Sequence, residues 1–450
     1  MTKAKEAAQQ RPEEFIVSHK GELYCRLCGV QVSVDKAALI ESHRNSNKHQ
    51  SLLRTQPTQQ HIKSFSHPNK ISWSYKVTKA FLEADIPLHK LNSEPIKNLF
   101  KSIDYELPCY SASYKCVDII YENQMQIIRA KFVGQDVFYV IDESEIRGQR
   151  YVSSLIGLVV DPSVTYLVDC KPIKSSPNAS LICLTIDDVL KENQIDRSNF
   201  LLLLSDAARY MVAAGNALKM MYPKLHTITC ISHMLHNCAI RVKIYFNDVD
   251  KLIASVKAST VKNKTRQALF DQIGQPPQPI VTRWGSWINA AEYYSQHFTE
   301  IKSIVDAFEE DGILVNKAKE SINCQSVRQS LMQISRDYAC LANLITKTES
   351  SSYTVEQAIK DFEVLDFGED ICNIKAYVSD RLKKNDILKI TQMENASLTP
   401  YQYSKLLKCQ PTTCSVERSF SLLGKLLRKD RNFDPLNVKK YIIAIYNKFL

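Results

Sequence analysis

The clearest pattern in the chain is a run of five apolar residues from Phe200 to Leu204, followed by a serine and Asp206. An uninterrupted apolar run of this length is typical of a strand that is buried on both faces. Apolar residues then recur at helical spacing until Pro223 ends the pattern. A second β-type run, Leu225 to Ile231, comes next. The stretch therefore predicts a strand, a helix and another strand.

Three more β-type runs lie upstream of this stretch, at residues 137–141, 151–160 and 164–173, and a helical pattern at 181–193 leads into it. The first run ends in the polar residues Asp142, Glu143 and Ser144. The predicted order is β-β-β-α-β-α-β-α, a mixed sheet with helices in a multidomain α/β chain. This is the element order of a ribonuclease-H-like fold.

Beyond residue 245 the β pattern gives way to helical spacing, which predicts an all-α insertion. The predicted segments, in order, are a disordered N-terminus at 1–14, a zinc finger at 15–54, a linker and helical segment at 55–130, the first part of the core at 131–245, the insertion at 246–400 and a helical C-terminal region at 401–450.

The N-terminal segment carries Cys25, Cys28, His43 and His49 with the spacing C-x2-C-x14-H-x5-H. Two thiolates on a tight turn and two imidazoles on a following helix suit a tetrahedral Zn²⁺ ion. Basic residues on the helix and its flanks are candidate phosphate contacts. They are Lys36, Arg44, Lys48 and Arg54.

Composition narrows the class of partner. The net charge of +10 favours an anionic partner, of which nucleic acid is the commonest. No apolar run approaches eighteen residues and no signal peptide is recognisable, so we expect neither membrane insertion nor secretion. The thirteen cysteines follow no framework spacing and are expected to be reduced, apart from metal ligands.

Several blocks of sequence resemble the hAT superfamily of transposases. They are VIDESEIRGQRYVSSLIGLV, LLLLSDAARYMVAAGNALKMMYPKLHTITCISHMLHN, the TRWGS segment and the SVERSFS motif of the tail. The finger is similar to the BED-like fingers of that superfamily and to those of the CGG triplet repeat-binding proteins. This resemblance places three catalytic acids at Asp142, Asp206 and Glu417.

The resemblance implies further roles. It implies that Cys230 and His233 form a C-x-x-H motif beside the DNA, that Trp284 stacks on a flipped base, and that Arg283 and Arg418 contact phosphate. Local alternatives remain open for these residues. Asp206 and Glu417 fit helix capping, and a buried cysteine with a hydrogen-bonded histidine explains the C-x-x-H pair. We interpret Trp287, close to the TRWGS segment, as a packing residue.

The resemblance implies a nuclear protein that cleaves and joins double-stranded DNA by using two Mg²⁺ or Mn²⁺ ions held by the three acids. The alternative is a domesticated, non-catalytic descendant that regulates transcription. The tail implies a homo-oligomer, since its apolar helix faces exceed what one sheet surface would use. Lys439 and Lys440 belong to a predicted basic rim on the tail.

Overall fold

The structure is a computed structural model that describes residues 3–12, 14–18, 21–54, 73–174, 176–279, 285–309, 312–394, 397–428 and 438–449, without the side chains of 51–54. These residues form two compact units, one within Met1–Ser72 and the other within Trp73–Leu450. Among them, no helix is long and apolar enough to cross a membrane.

The small unit is a three-stranded antiparallel sheet with three helices. Its strands lie in the order β1 (Phe15–Val17), β2 (Leu23–Cys25) and β3 (Gln31–Val32). Its helices are α1 (Lys3–Gln10), α2 (Ala37–Arg44) and α3 (Asn47–Arg54).

Two expectations for the small unit are wrong. Residues 3–10 are helical and not disordered, because α1 packs through alanines such as Ala4 on the core around Phe15. The single helix expected to carry both His43 and His49 is two helices, because the chain leaves the helical path after Arg44 and begins a new helix at Asn47.

The large unit is built on a five-stranded mixed sheet. Its strands are β4 (Val137–Ile146), β5 (Gln149–Leu158), β6 (Asp161–Ile173), β7 (Phe200–Ser205) and β8 (His226–Thr229). The spatial order is β6-β5-β4-β7-β8, in which β4, β7 and β8 run parallel and β5 is antiparallel to its neighbours. All six residues of β7 are buried, as the apolar run predicted.

The predicted order of elements in this region is confirmed, but β4 continues four residues beyond Asp142, whereas we expected it to end there. The extension pairs with β5 as far as Ile146 and Gln149. Asp142 therefore projects from within a paired strand and not from a loop after it.

Helices surround the sheet. Before β4 come α4 (Trp73–Glu83), α5 (Glu94–Lys101) and α6 (Tyr110–Phe132); α7 (Ala179–Glu192), α8 (Arg209–Met221) and α9 (Ile231–Tyr245) follow β6, β7 and β8. Short 3-10 turns occupy Leu88–Asn92 and Arg197–Asn199. The chain closes with α20 (Pro400–Leu406), α21 (Cys414–Leu426) and α22 (Val438–Tyr446).

The expected all-α insertion is helical throughout its described part. It comprises α10 (Asn247–Thr260), α11 (Lys264–Ala268), α12 (Ser286–Gln296), α13 (Phe298–Asp306), α14 (Ile313–Ile322), α15 (Gln325–Asp337), α16 (Ala339–Thr348), α17 (Val355–Glu363), α18 (Ile374–Lys383) and α19 (Ile387–Gln392). Helices α16 and α18 pack on α9, and α19 packs on β8.

The buried carboxylate of Asp386 joins this helical region to the sheet. It accepts a hydrogen bond of 2.8 Å from the backbone N–H of Thr227 in β8, and it forms ion pairs with Lys219 and Lys389. Burial raises the pKa of Asp386, but the hydrogen bond from Lys219 and the other donors outweigh it and leave the pKa below the usual value. The acid is therefore held ionised.

The end of the chain covers the sheet. Helix α21 packs on β4 and β5, and α22 packs on β6 and α6. Ile442 and Ile443 of α22 are fully buried, and Asn447 exchanges hydrogen bonds with the backbone of Leu167 in β6. The apolar faces of the tail are thus used within one chain, because α6 supplies a packing surface that the oligomer prediction did not include. They give no argument for a second copy.

Candidate functional site

The four predicted ligands of the small unit converge. One Sγ or imidazole nitrogen from each of Cys25, Cys28, His43 and His49 lies within 4.8 Å of the others. Both sulfurs lie 3.4 Å from Nδ1 of His49. Ligands around a tetrahedral zinc would place sulfur and nitrogen about 3.6 Å apart, given Zn–S near 2.3 Å and Zn–N near 2.05 Å. The cluster could therefore bind a metal ion such as zinc.

The backbone and the histidine rings prepare this geometry. Gly29 adopts a positive φ of 67° just after Cys28, and this turn lets the N–H of Cys28 donate to the sulfur of Cys25 at 3.4 Å. Nε2 of His43 is buried and has no hydrogen-bond partner in the described chain. Burial and the charge of His49 lower the pKa of His43, which favours the neutral imidazole that metals bind.

Glu14 supports the cluster from outside. Its Oε2 lies 3.2 Å from Nε2 of His49, the ring nitrogen opposite the one that faces the two sulfurs. A carboxylate in this position fixes the tautomer and the orientation of a metal-binding histidine. The hydrogen bond from Arg44, with a further contribution from His49, lowers the pKa of Glu14, so the supporting carboxylate is ionised. No pattern in the sequence pointed to Glu14, which lay in the segment expected to be disordered.

The basic residues proposed as phosphate contacts in this unit divide into groups. Arg44 forms ion pairs with Glu14 and Glu41, so its guanidinium already has partners inside the unit, and its predicted phosphate contact stays a prediction. Lys36, just before α2, and Lys48, in α3, are exposed. The side chain of Arg54 lies outside the described residues.

A second cluster lies in the large unit at one edge of the sheet. Ligand atoms of Asp142, His233 and Glu417 lie within 4.8 Å of one another. Asp142 comes from β4, His233 from the first turn of α9 and Glu417 from the first turn of α21. Asp206 directly follows β7, the neighbour of β4 in the sheet, and its charge acts on both other carboxylates. Asp142 and Glu417 are thus brought together with His233, and Asp206 lies outside this group of three but near enough for its charge to act on both acids.

The hydrogen bonds of the acids differ. Oδ1 of Asp142 accepts the N–H of Glu143 at 2.8 Å, while its Oδ2 is buried and accepts nothing from the described chain. Asp206 accepts the N–H of Ala208 at 3.1 Å just before α8. This is a hydrogen bond within the turn before α8 and not the helix cap that the alternative expected, because the N-cap residue is Ala208 and no side chain caps the helix.

Burial and mutual repulsion dominate the electrostatics of the acids. Burial raises the pKa of Asp142 well above its usual value, and the charges of Asp206 and Glu417 add to this while His233 opposes it. Burial also raises the pKa of Asp206 and of Glu417. Three carboxyl groups that are costly to ionise together form a site that a divalent cation would stabilise in the charged state.

A short segment before α21 holds the histidine and the glutamate in place. The N–H of Thr413 donates to Sγ of Cys230 at 3.2 Å, and Oγ1 of Thr413 lies 3.5 Å from Nδ1 of His233. The N–H of Ile231 donates to the carbonyl of Pro411 at 3.0 Å. Nε2 of His233 lies 3.9 Å from Oε1 of Glu417. The start of α9 is thus joined to the start of α21.

The structure separates the two members of the C-x-x-H pair. Cys230 is only 1% exposed, and its sulfur accepts a backbone hydrogen bond. The prediction that Cys230 contacts DNA is therefore wrong, because its role is structural. His233 is partly exposed at the cluster. The sequence predicted His233 beside the DNA near the acids, but it did not predict that the imidazole would share a cluster with Asp142 and Glu417.

Other predicted DNA contacts have mixed outcomes. Arg283 and Trp284 lie outside the described residues. Trp287 is buried and donates to Asp250 at 2.9 Å, so its interpretation as a packing residue is confirmed. Arg418 is exposed next to the phenol of Tyr446.

Two lysines of the predicted basic rim have acidic partners within the chain. Lys439 pairs with Asp169 and Glu192, and Lys440 pairs with Asp118. Their predicted phosphate contacts stay a prediction.

Comparisons with known proteins identify no relative. No family model matches the chain, and no curated protein is similar enough to count as a match. The function of the chain is therefore inferred from the Cys/His cluster and the acid cluster.

Proposed function

We propose that this chain is a DNA-binding protein of hAT transposase type that cleaves and transfers DNA strands by metal-dependent phosphoryl transfer at Asp142, Asp206 and Glu417. The convergence of Asp142 from β4 with Glu417 from α21, together with the charge of Asp206 that acts on both from the end of β7, carries the proposal. The strand order β6-β5-β4-β7-β8, with only β5 antiparallel to its neighbours, supports a ribonuclease-H-like core.

The acids suit Mg²⁺ or Mn²⁺. Hard divalent cations take oxygen ligands, and Asp142 offers a buried oxygen that accepts no hydrogen bond from the described chain. Asp142, Asp206 and Glu417 would hold the ions. When bound, such ions stabilise the charge that develops on the attacking and leaving oxygens of a phosphodiester. They would also relieve the repulsion among the three carboxylates.

His233 adds a group that carboxylates cannot supply. Its ring lies beside the acids, and Thr413 lies next to Nδ1, which orients Nε2 toward Glu417. An imidazole held this way can accept or donate a proton at Nε2. We assign it the role of positioning Glu417 and of exchanging a proton with the reacting oxygen.

We assign Zn²⁺ to the cluster of the small unit and double-stranded DNA to its exposed basic residues. The ligand set of two thiolates and two imidazoles is typical of structural zinc sites. Lys36 and Lys48 remain exposed for phosphate contact. This unit would deliver DNA to the catalytic unit without taking part in the reaction.

The experiment uses a supercoiled plasmid that carries sequences selected by the full chain from a random DNA library. With Mg²⁺ or Mn²⁺ the wild type should convert it to nicked circles. Asp142→Asn, Asp206→Asn and Glu417→Gln should each lower the rate at least about 100-fold, since each removes a charge that the ions require. Glu145→Gln, on the same strand but exposed and paired with Arg150, should cleave normally.

Two results would contradict the proposal. One is cleavage that survives in all three variants, which would locate the chemistry elsewhere. The other is a wild type that binds the selected DNA tightly but never nicks it with either metal, which would favour the non-catalytic regulator.

A further inference from the structure

A groove between α9 and α18 lies beyond the acid cluster and has a volume of about 660 Å³. Tyr377 lines the groove, and two arginines pack on its ring. The guanidinium carbons of Arg241 and Arg381 lie 4.2 Å and 5.2 Å from the ring centroid. Two like charges are thus held close together by one aromatic ring.

Neither arginine is neutralised within the described chain. No carboxylate of the described residues forms an ion pair with Arg241 or Arg381, whereas arginines such as Arg44 and Arg336 do have acidic partners. Nε of Arg381 is buried and has no hydrogen-bond acceptor there. Two neighbouring guanidiniums without an ion-paired carboxylate make a site for an anion, and their planar forks suit phosphate.

The rest of the groove is not merely ionic. Tyr245 is 58% exposed and Ile244 is 70% exposed, and both line the groove at the end of α9. Asn237 and Asn373 also line the groove. Cationic groups that follow a phosphate backbone, combined with exposed aromatic and apolar surface, are characteristic of single-strand binding. In duplex DNA the base faces are stacked inside the helix, so a duplex would present only its phosphates to this apolar surface.

Helix α9 connects the groove with the acid cluster. His233, Asn237, Ile240 and Ile244 follow one another at steps of three or four residues, so they lie on a single face of the helix. The path from His233 to Ile244 is about 16 Å at 1.5 Å per residue. A strand that leaves the acids along this face reaches the two guanidiniums after a few nucleotides.

We infer that the α9–α18 groove binds the unpaired DNA strand adjoining the phosphodiester that is cleaved, with Arg241 and Arg381 on phosphates and Tyr245 stacked on a base. The inference rests on the proposed function for the identity of the strand at the acids. The binding itself is measurable without any cleavage.

The test measures binding of the full chain to a short fluorescent oligothymidylate by anisotropy at several salt concentrations. Arg241→Ala combined with Arg381→Ala should weaken binding at least about tenfold and reduce the slope of log affinity against log salt by about 1.4, because each phosphate contact on a single strand contributes about 0.7. Tyr245→Ala should weaken binding about 5- to 150-fold with little change of slope.

The matched control is Arg328→Ala. Arg328 is another exposed arginine that packs on an aromatic ring, at 5.7 Å from the centroid of Phe298, and it lies outside the groove. It should leave oligothymidylate binding unchanged. Circular dichroism of every variant confirms that the fold is retained.

The groove assignment is overturned if the paired arginine variant binds oligothymidylate like the wild type, if Arg328→Ala weakens binding equally, or if the losses appear only with duplex or with an acidic peptide. Its failure is distinct from failure of the proposed function. If only the groove assignment fails, the plasmid is still nicked and Asp142→Asn abolishes nicking. If only the proposed function fails, nicking is absent while the groove variants still lose single-strand binding.

Discussion

A carboxylate oxygen of Asp142 in β4 and one of Glu417 in α21 lie within 4.8 Å of each other, although the two residues are far apart in the sequence. The pKa values of both are raised by burial, and repulsion between the two acids adds to that of Asp142. Such an arrangement is unfavourable in the absence of a cation, and this makes its metal dependence measurable.

The first prediction concerns Asp142→Asn. In metal-free buffer at neutral pH the variant should melt at least about 2 °C above the wild type, because it removes a buried charge repelled by two neighbours. Mg²⁺ or Mn²⁺ should raise the melting temperature of the wild type and leave that of the variant nearly unchanged. Differential scanning calorimetry checks both. Equal metal stabilisation of the two proteins would mean that the ions bind elsewhere.

The second prediction concerns the support of the Cys/His cluster. Glu14→Gln should weaken zinc binding about 10- to 100-fold, because the carboxylate beside Nε2 of His49 orients the ring. Competition with a chromophoric chelator measures the affinity. Glu41→Gln is the matched control, since Glu41 shares Arg44 with Glu14. Equal affinities for the two variants would contradict a role for Glu14.

The third prediction concerns the link between the helical region and the sheet. Asp386→Asn should lower the free energy of unfolding at pH 7 by about 2–3 kcal/mol, because it leaves buried donors of Thr227 and Lys219 without their charged acceptor. The folded-state pKa of Asp386 lies below the ordinary 3.8, so its contribution is present above that pH and is lost as the pH falls through the folded value.

Urea denaturation of both proteins between pH 7 and pH 3 tests this. The gap between wild type and variant should be constant down to about pH 4 and narrow below it. Asp380→Asn, which removes an exposed acid paired with Lys384, should have no measurable effect. A gap that widens in acid would show the opposite sign of linkage.

The fourth prediction concerns a glycine in β5. A Cβ on Gly157 would overlap the ring of Phe138 and lie 2.9 Å from the carbonyl oxygen of Val164. Gly157→Ala should therefore cost about 1–3 kcal/mol of stability. Gly424→Ala is the comparison, since no atom lies within 4 Å of its would-be Cβ in α21. It should be neutral or stabilise the protein by up to about 1 kcal/mol. Equal effects would refute the close contact.

The sequence predicts the local elements well, because their patterns are short-range. The buried run at β7, the three strands before it and the C-x2-C turn are each encoded within a few residues. The gathering of Asp142, Asp206 and Glu417 followed from the resemblance to a family and not from periodicity. The register of β4 against β5 could not be read in advance, so the strand was expected to end at Asp142.

What the sequence did not predict are the partners of charged side chains. Arg44 and Lys439 look like phosphate contacts in isolation, but each lies against acids that come from distant segments of the chain. Glu14 had no spacing relation to the metal ligands that would have marked it. The packing of α22 on α6 is likewise a tertiary contact. Because the sequence did not show it, the apolar faces of the tail were expected to pack against a second copy.

The position of Glu417 in α21 has a consequence for biosynthesis. Ribosomes make the chain from its N-terminus, and domains generally fold in that order. Asp142 and Asp206 can enter the sheet early, while Glu417 emerges only with the helices that cover β4, β5 and β6. On the proposed function, a growing polypeptide carries two of its three acids and cannot cut DNA. The catalytic set is complete only once α21 has been made and has packed on β4 and β5.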